Sequence, residues 1–227
     1  KMSDILIEGL QKLELPQEII ACVAEKMERY IKEIILFNSA YNLTNTSDHD
    51  ELVIRHILDS LSGYKLIKDI INQSSGNKSL DNFLIGDIGS GGGLPGIPLA
   101  AAFPDVKFQL VERMEKRCAF LENCAAILSL KNVEVVNSQA EGVPAESFDI
   151  ITFRAFRPLD KKMTKTLLNI TKTNGFLCAY KAKLQSINEE MDGIANLVSK
   201  ADYKICPLTV PGLEDSERNM VVIKKGW

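Results

Sequence analysis

The chain has 227 residues, 45% of them hydrophobic and 25% charged, with a formal net charge of −3. That profile fits one globular domain of ordinary composition plus an appendage, with enough chain to bury a sizeable core. Apolar runs such as 97–103 are too short to span a bilayer and no signal-peptide pattern opens the chain, so a soluble, cytoplasmic protein is expected; the slight acidity does not announce a nucleic-acid binder, although a whole-chain sum can hide a basic face.

In chain order, 3–13 and 17–37 read as helices. The second carries Ile19, Ile20, Val23, Met27, Tyr30, Ile31, Ile34 and Ile35 near i, i+3, i+4 spacing, and Pro16 sits where a helix can begin. Residues 41–46 break the pattern. Ser47 or Asp48 then caps a third helix carrying Leu52, Val53, His56, Ile57 and Leu61. The polar stretch 72–79 reads as a loop, which divides the chain into a helical N-terminal cap and linker, 1–75, and a second unit, 76–227. From there strands at 83–88, 106–112, 133–137, 148–153, 175–181, 203–210 and 219–225 alternate with helices at 96–103, 115–130, 159–172 and 184–199. Such alternation predicts an α/β fold with a parallel sheet covered on both faces. Residues 211–218 are too few for a helical crossover, so the last two strands are expected to pair antiparallel. The five cysteines (Cys22, Cys118, Cys124, Cys178 and Cys206) are scattered without a C-x-x-C pair and read as reduced, buried thiols. With only His49 and His56 available, no metal centre is expected.

The chain is organised around 83–103. Phe83-Leu84-Ile85 leads into Asp87-Ile88-Gly89-Ser90-Gly91-Gly92-Gly93, and Leu94-Pro95-Gly96 opens a second apolar run: a strand, a tight turn and a helix start with Pro95 at the first helical position. Five of the 14 glycines fall between Gly89 and Gly96. Each costs backbone entropy when ordered, and close approach of backbone to a ligand at a helix N-terminus is the natural compensation. Two ligands suit the turn. Gly91-x-Gly93-x-x-Gly96 matches the dinucleotide fingerprint, with Glu112 at the end of the next strand where an acid binds a ribose hydroxyl, which suggests a nicotinamide-dependent oxidoreductase. Asp87, Gly89, Gly91 and Gly93 fit acid-x-Gly-x-Gly-x-Gly, which resembles the first motif of S-adenosylmethionine-dependent methyltransferases. Asp87 would oppose a doubly charged pyrophosphate but tolerate a sulfonium cation, which favours the methyl donor. Each acid keeps a plainer reading: Asp87 as a cap of its own turn, Glu112 as a strand-end surface charge.

Further segments narrow the choice. They are Asn42-Leu43-Thr44, Arg55-His56-Ile57-Leu58-Asp59-Ser60, the turn continued through Ile97-Pro98-Leu99-Ala100, Lys116-Arg117-x-x-Phe120-Leu121, Ala140-Glu141, Arg154-Ala155 and Glu217-Arg218-x-x-Val221-Val222-Ile223-Lys224. Together they resemble the bacterial 16S ribosomal RNA guanine-N7 methyltransferase family, small-subunit methyltransferase G, also called glucose-inhibited division protein B. The Leu-Pro-Gly-Ile-Pro extension and the Arg-His-x-Leu-Asp-Ser segment are the most specific parts. The resemblance implies a Rossmann-like S-adenosylmethionine-dependent methyltransferase fold, with a seven-stranded, mostly parallel sheet, an antiparallel last strand and a helical N-terminal cap. It implies S-adenosyl-L-methionine as donor and N7 of one guanosine in 16S rRNA as acceptor. The partner is then 16S rRNA or the small ribosomal subunit, with no membrane and a monomeric enzyme.

Carried over by position, the resemblance places Gly89, Leu94, Ala140, Glu141 and Arg154 against the cofactor, beside Glu112 on the ribose and Asp87, Gly91 and Gly93 of the turn. Arg154, His56 and Asn42 are implied in activity, and Lys116, Arg117 and Arg218 in RNA binding. Relatives often carry Arg before the Ala-Glu pair, where this chain has Gln139, and 72–80 is longer than usual. Guanine N7 has an in-plane lone pair and no proton, so attack on a sulfonium methyl needs alignment and no general base. The chain accordingly lacks both an Asn/Asp-Pro-Pro-aromatic motif and a cysteine near its fourth strand. Arg154 is read as a site-organising residue, with a strand-end salt bridge as the plainer reading; for His56 a structural role stays equally open. Basic residues recur at Arg113, Lys116, Arg117, Arg154, Arg157, Lys161, Lys162, Lys165, Lys181, Lys183, Arg218, Lys224 and Lys225, which suggests an RNA-facing rim at the strand ends. Phe153, Phe156 and Tyr180 are candidates to stack a base, with core packing favoured for Phe153. A non-catalytic RNA-binding assembly factor is the third reading.

Overall fold

The computed structural model describes residues 3–76, 79–155 and 157–226. Seven strands, β1 (Leu84–Ile88), β2 (Lys107–Glu112), β3 (Val133–Asn137), β4 (Phe148–Arg154), β5 (Thr171–Lys181), β6 (Tyr203–Pro207) and β7 (Asn219–Lys224), form one sheet in the order β3-β2-β1-β4-β5-β7-β6. β1 to β5 are parallel. β7 inserts between β5 and β6 and runs antiparallel to both, as the short 211–218 connection requires. The chain moves outward from β1 through β2 to β3 and returns to β4 on the other side of β1. A crevice therefore opens above the carboxyl ends of β1 and β4, the usual place for a ligand in such sheets.

Period-2 alternation distributes the strands' side chains between two cores. Phe108, Leu110, Cys178 and Tyr180 join the core that holds the N-terminal helices, whereas Val111, Leu177 and Ala179 face the other side. On the first face lie α1 (Asp4–Lys12), α2 (Gln17–Tyr41), α5 (Tyr64–Ser75), α6 (Gly96–Ala102) and α7 (Glu115–Ile127); α8 (Lys161–Ile170) and α9 (Leu184–Gly193) cover the second. All seven residues of α6 are buried, because it lies between the sheet and the N-terminal helices. That explains an apolar helix with no polar stripe.

Between α2 and α5 the chain forms a short α3 (His49–Leu52), a π-helical turn (Val53–Leu58) and α4 (Asp59–Leu61). Asp48 caps α3, its side chain accepting from the Glu51 N–H. The π-turn was not legible as such: its residues have ordinary helical periodicity. α2 extends past the expected end at 37, because Asn38 to Tyr41 still complete the helix before Asn42 turns left-handed (φ 50°). α5 likewise runs through Ser75 into what the polar composition marked as loop. Its apolar face (Tyr64, Ile67, Ile70, Ile71) outweighs the polar end, and Gly76 in a left-handed conformation stops it. Cys118, Cys124 and Cys178 are buried thiols, but Cys22 is exposed and Cys206 half-buried, because α2 is solvated on one side and β6 is an edge strand.

Candidate functional site

The glycine turn is fastened from below. Gly89 and Ser90 both donate their backbone N–H to the Val111 carbonyl at the end of β2, at 2.9 and 3.0 Å. Asp87 is wholly buried beneath them. One of its oxygens accepts from Ser90 Oγ (2.7 Å) and Gly96 N (3.1 Å), the other from Thr152 Oγ1 (3.1 Å). Burial pushes its pKa up to about 6, against the pull of those three donors and of the Arg154 charge. Asp87 thus takes its plainer role, organiser of the turn, and any influence on a ligand acts through its charge. Pro95 occupies the cap position just ahead of the first helical residue.

Gly89, Gly91 and Gly93 all have positive φ. At Gly91 a methyl group would meet nothing nearer than the Gly89 carbonyl, 3.8 Å away, so its bare face is open to a ligand. Gly93 differs: a methyl there would strike Ile97 at 2.5 Å, so its bareness serves packing, and it borders neither of the two cavities beside the turn. Above the turn, Leu43 lies against Gly92, and the buried Tyr30 hydroxyl donates to the Gly92 carbonyl.

Two adjoining cavities share Gly89, Arg117, Ala155 and Arg157. The smaller, about 210 Å³, is walled by Glu112, Met114, Ser138, Gln139, Ala140 and Glu141. Glu112 is 3% exposed and accepts from Gly91 N and Met114 N, both at 2.8 Å. Each carboxylate oxygen keeps lone-pair capacity for a second donor, such as a ligand hydroxyl. Ala140 and Glu141 form a 3₁₀ turn after β3. An open glycine backbone, a strand-end carboxylate and this turn together fit a nucleoside with a short charged extension, the shape of S-adenosylmethionine.

The larger cleft, about 860 Å³, carries six basic side chains (Arg55, Arg117, Arg154, Arg157, Lys181, Arg218) against two acids (Asp59, Glu190). The slight acidity of the whole chain conceals this basic floor. Arg154, at the end of β4, gives Nη1 to Asp59 Oδ2 (2.6 Å) and the Arg55 carbonyl (3.0 Å), and Nη2 to His56 Nδ1 (2.8 Å). Arg218, the residue just ahead of β7, gives Nε to Asp59 Oδ1 at 3.1 Å. Because arginine only donates, His56 accepts at Nδ1 and carries its proton on Nε2. Burial, then the Arg154 charge, lowers the His56 pKa to about 4, so it is neutral at physiological pH. Ala155, next to Arg154, is held at φ 50°, backbone strain located at the junction of the two cavities.

Several expected site residues lie elsewhere. Asn42 borders neither cavity and is the left-handed cap of α2; its carbonyl accepts from Arg117 Nη2 at 3.1 Å. Lys116 is exposed and borders neither cavity, one position round α7 from Arg117, which borders both. Leu94 lines the large cleft. Phe153 is buried in the second core, whereas Tyr180 lines the cleft with its hydroxyl on the Ser60 carbonyl (2.6 Å). Phe156 lies outside the described residues. Lys224 and Lys225 leave the basic rim, because antiparallel β7 ends at the amino ends of the parallel strands, where Lys225 Nζ donates to the Thr171 carbonyl. Lys161 and Lys162 open α8 on exposed positions and Lys165 follows one turn on. Among the described residues no cluster of His, Cys, Asp or Glu could hold a metal, and no helix is long and apolar enough to cross a membrane.

Some contributors carry no local signal. Asn38 holds the 42–46 loop, accepting the Leu43 and Thr44 N–H groups, each at 2.9 Å. Glu190 of α9 accepts the Leu159 N–H (3.0 Å) and pairs with Lys181 (2.9 Å), fixing the segment after β4. Asp59 was legible only as part of the Arg-His-x-Leu-Asp-Ser string.

A family model described as rRNA small subunit methyltransferase G matches residues 23–221. The chain is 40% identical to the ribosomal RNA small subunit methyltransferase G of Treponema denticola, over 97% of this chain and 94% of that protein. It is 36% identical to the protein of that name from Hydrogenovibrio crunogenus, over 88% and 84% of the two. Among solved structures, an S-adenosylmethionine-dependent methyltransferase from Aquifex aeolicus aligns with a TM-score of 0.53 and 18% identity, covering 78% of this chain and 93% of the other. A putative caffeoyl-CoA O-methyltransferase from Staphylococcus aureus aligns at 0.51 with 16% identity, covering 86% and 91%. These two establish the Rossmann-like methyltransferase fold.

Proposed function

The chain belongs to the rRNA small subunit methyltransferase G family, and from that membership and the basic cleft we propose that it methylates N7 of one guanosine in 16S rRNA. It is an S-adenosylmethionine-dependent rRNA methyltransferase; family membership gives no support to a nicotinamide-dependent oxidoreductase or a non-catalytic assembly factor. The observation that carries the reading is the junction of the two cavities at Gly89, Arg117 and Ala155, which sets a nucleoside-shaped pocket against a cleft rich in arginine.

S-adenosylmethionine, when bound, supplies an electrophilic methyl group on a sulfonium. Gly89 and Gly91 would let the backbone approach it, Glu112 would accept from its ribose hydroxyls, and Ala140 and Glu141 would border its base. Arg154, held by Asp59, the Arg55 carbonyl and His56, orients the acceptor side. N7 brings its own lone pair, so alignment and exclusion of water are the protein's task, and His56 stays neutral throughout. Arg117 and Arg218 contact RNA phosphates, with Lys116 on the adjoining surface. The Asn42 backbone, gripped by Arg117, joins the 42–46 loop to this rim. In this reading residues 1–75 are a cap on the catalytic unit 76–227, and the enzyme works as a cytoplasmic monomer.

The test is transfer of labelled methyl from S-adenosylmethionine to purified small subunits, to naked 16S rRNA and to large-subunit RNA. Incorporation confined to the small-subunit substrates is expected. Labelling of large-subunit RNA alone would overturn the assignment.

A further inference from the structure

We propose that Asp59 is a positioning residue that locks Arg154 and Arg218 into one constellation, so that RNA contact at Arg218 and alignment of the acceptor base at Arg154 and His56 depend on each other. The proposal rests on the rRNA reading above. The two arginines arrive from different places in the fold, Arg154 as the last residue of β4 and Arg218 from the connection just ahead of β7, and are far apart in sequence. The Asp59 side chain is 8% exposed and divides its oxygens between them: Oδ2 takes Arg154 Nη1 at 2.6 Å and Oδ1 takes Arg218 Nε at 3.1 Å. It stands directly after the π-helical turn, an irregularity common at functional sites, and that turn contributes two more groups to Arg154, the Arg55 carbonyl and His56 Nδ1.

Charge and hydrogen-bond direction make the carboxylate hard to replace. Two guanidiniums this close repel unless an anion lies between them. An aspartate offers acceptors on both oxygens; an asparagine offers one acceptor and one amide, and that amide would meet an arginine donor head-on. Asp59→Asn therefore holds only one arginine. The released partner loses its fixed direction into the cleft, and the ring of His56, joined to the same guanidinium, changes its hydrogen bond. His56 Nε2 is already shut off from water without a protein partner, so its surroundings have no spare acceptor to absorb the change.

The experiment compares wild type, Asp59→Asn, Arg218→Met and the double variant in steady-state methyl transfer to small-subunit RNA, alongside nitrogen NMR of the imidazole rings. With two histidines in the chain, the ring signals are readily assigned. Asp59→Asn should lower kcat and raise the RNA KM, each by at least about tenfold. In the Arg218→Met background the KM effect of Asp59→Asn should vanish while the kcat effect persists through Arg154. The His56 Nδ1 signal should shift in Asp59→Asn and the His49 signals should not. Losses that simply multiply in the double variant, or an unmoved His56 signal, would overturn the proposal. If Asp59→Asn does not fold, the double variant, which also removes the charge of half-buried Arg218, is judged on kcat and the His56 shift. The NMR readout needs no turnover, so a wild-type enzyme inactive on ribosomal RNA would sink the functional reading and leave Asp59 to be decided by the ring signals.

Discussion

Replacing Asp87 with asparagine separates the cost of a buried charge from its use. Asp87 is fully buried, and its pKa rises from 3.8 to about 6, chiefly through burial. A folded-state pKa above the unfolded value means that this group's stabilising contribution is complete below pH 3.8 and is lost as pH rises through 6. At pH 8 the ionised carboxylate then destabilises the fold by about 3 kcal/mol relative to its protonated form, since each pKa unit is about 1.4 kcal/mol. Asparagine keeps every bond: its oxygen can accept from Ser90 and Gly96, and its amide can donate to Thr152 Oγ1 once that hydroxyl turns round. Urea unfolding of Asp87→Asn should show a gain of up to about 3 kcal/mol at pH 8, fading to nothing near pH 4. Calorimetry should show the opposite for the ligand. The cationic sulfonium of S-adenosylmethionine loses a nearby anion and binds about tenfold more weakly, while neutral-sulfur S-adenosylhomocysteine changes less. A variant less stable than wild type at pH 8, with a deficit independent of pH, would refute the reasoning and show that the hydrogen bonds need the charge.

Gly91→Ala and Gly93→Ala should fail differently. The first puts a methyl into the ligand's approach and lowers S-adenosylhomocysteine affinity with about 1–2 kcal/mol of backbone strain; the second collides with Ile97 and shows mainly as lost stability, and equal effects on both properties would contradict the assignment. The His56 ring should stay neutral down to about pH 4 in the folded enzyme, whereas His49, raised by its bonds to Asp50 and Glu28, titrates above 6.5. Because the His56 pKa is depressed, its stabilising contribution is present above pH 6.5 and lost as pH falls through 4; an NMR inflection for His56 near 6.5 would mean that the ring is neither buried nor held against Arg154 in solution. RNA affinity should fall with salt with a logarithmic slope near −0.7 for each phosphate contact, and Arg218→Met should lower that slope by about one contact; a salt-independent affinity would count against the basic cleft.

The strands and the glycine turn were legible because their causes are local. A run such as Val106 to Glu112 shows its apolar alternation within a few residues, and five clustered glycines announce close backbone approach wherever they fall. The site's wiring was less visible, since it joins residues remote in sequence. Asp59 looks like any helical acid until Arg154 and Arg218 arrive 95 and 159 positions later. Asp87 was recognised as important for its charge beside the turn, but only the fold shows three donors enclosing it. Two of the rim's basic residues were over-read because β7 runs backwards, so Lys224 and Lys225 lie at the amino ends of the parallel strands. Asn42 sits in a family motif, yet its contact with Arg117 is made by its carbonyl, which any residue able to adopt φ near 50° could supply.

The central claim, that this cleft presents guanine N7 to a methyl sulfonium, is tested most directly by mapping the modified base. Small subunits lacking the modification would be incubated with the enzyme and S-adenosylmethionine, and the 16S rRNA then reduced and treated with aniline, which cleaves the chain at 7-methylguanosine. A single new cleavage at one guanosine, absent with Arg154→Met, is the expected result. Methyl incorporation without any such cleavage, or cleavage at many guanosines, would contradict it.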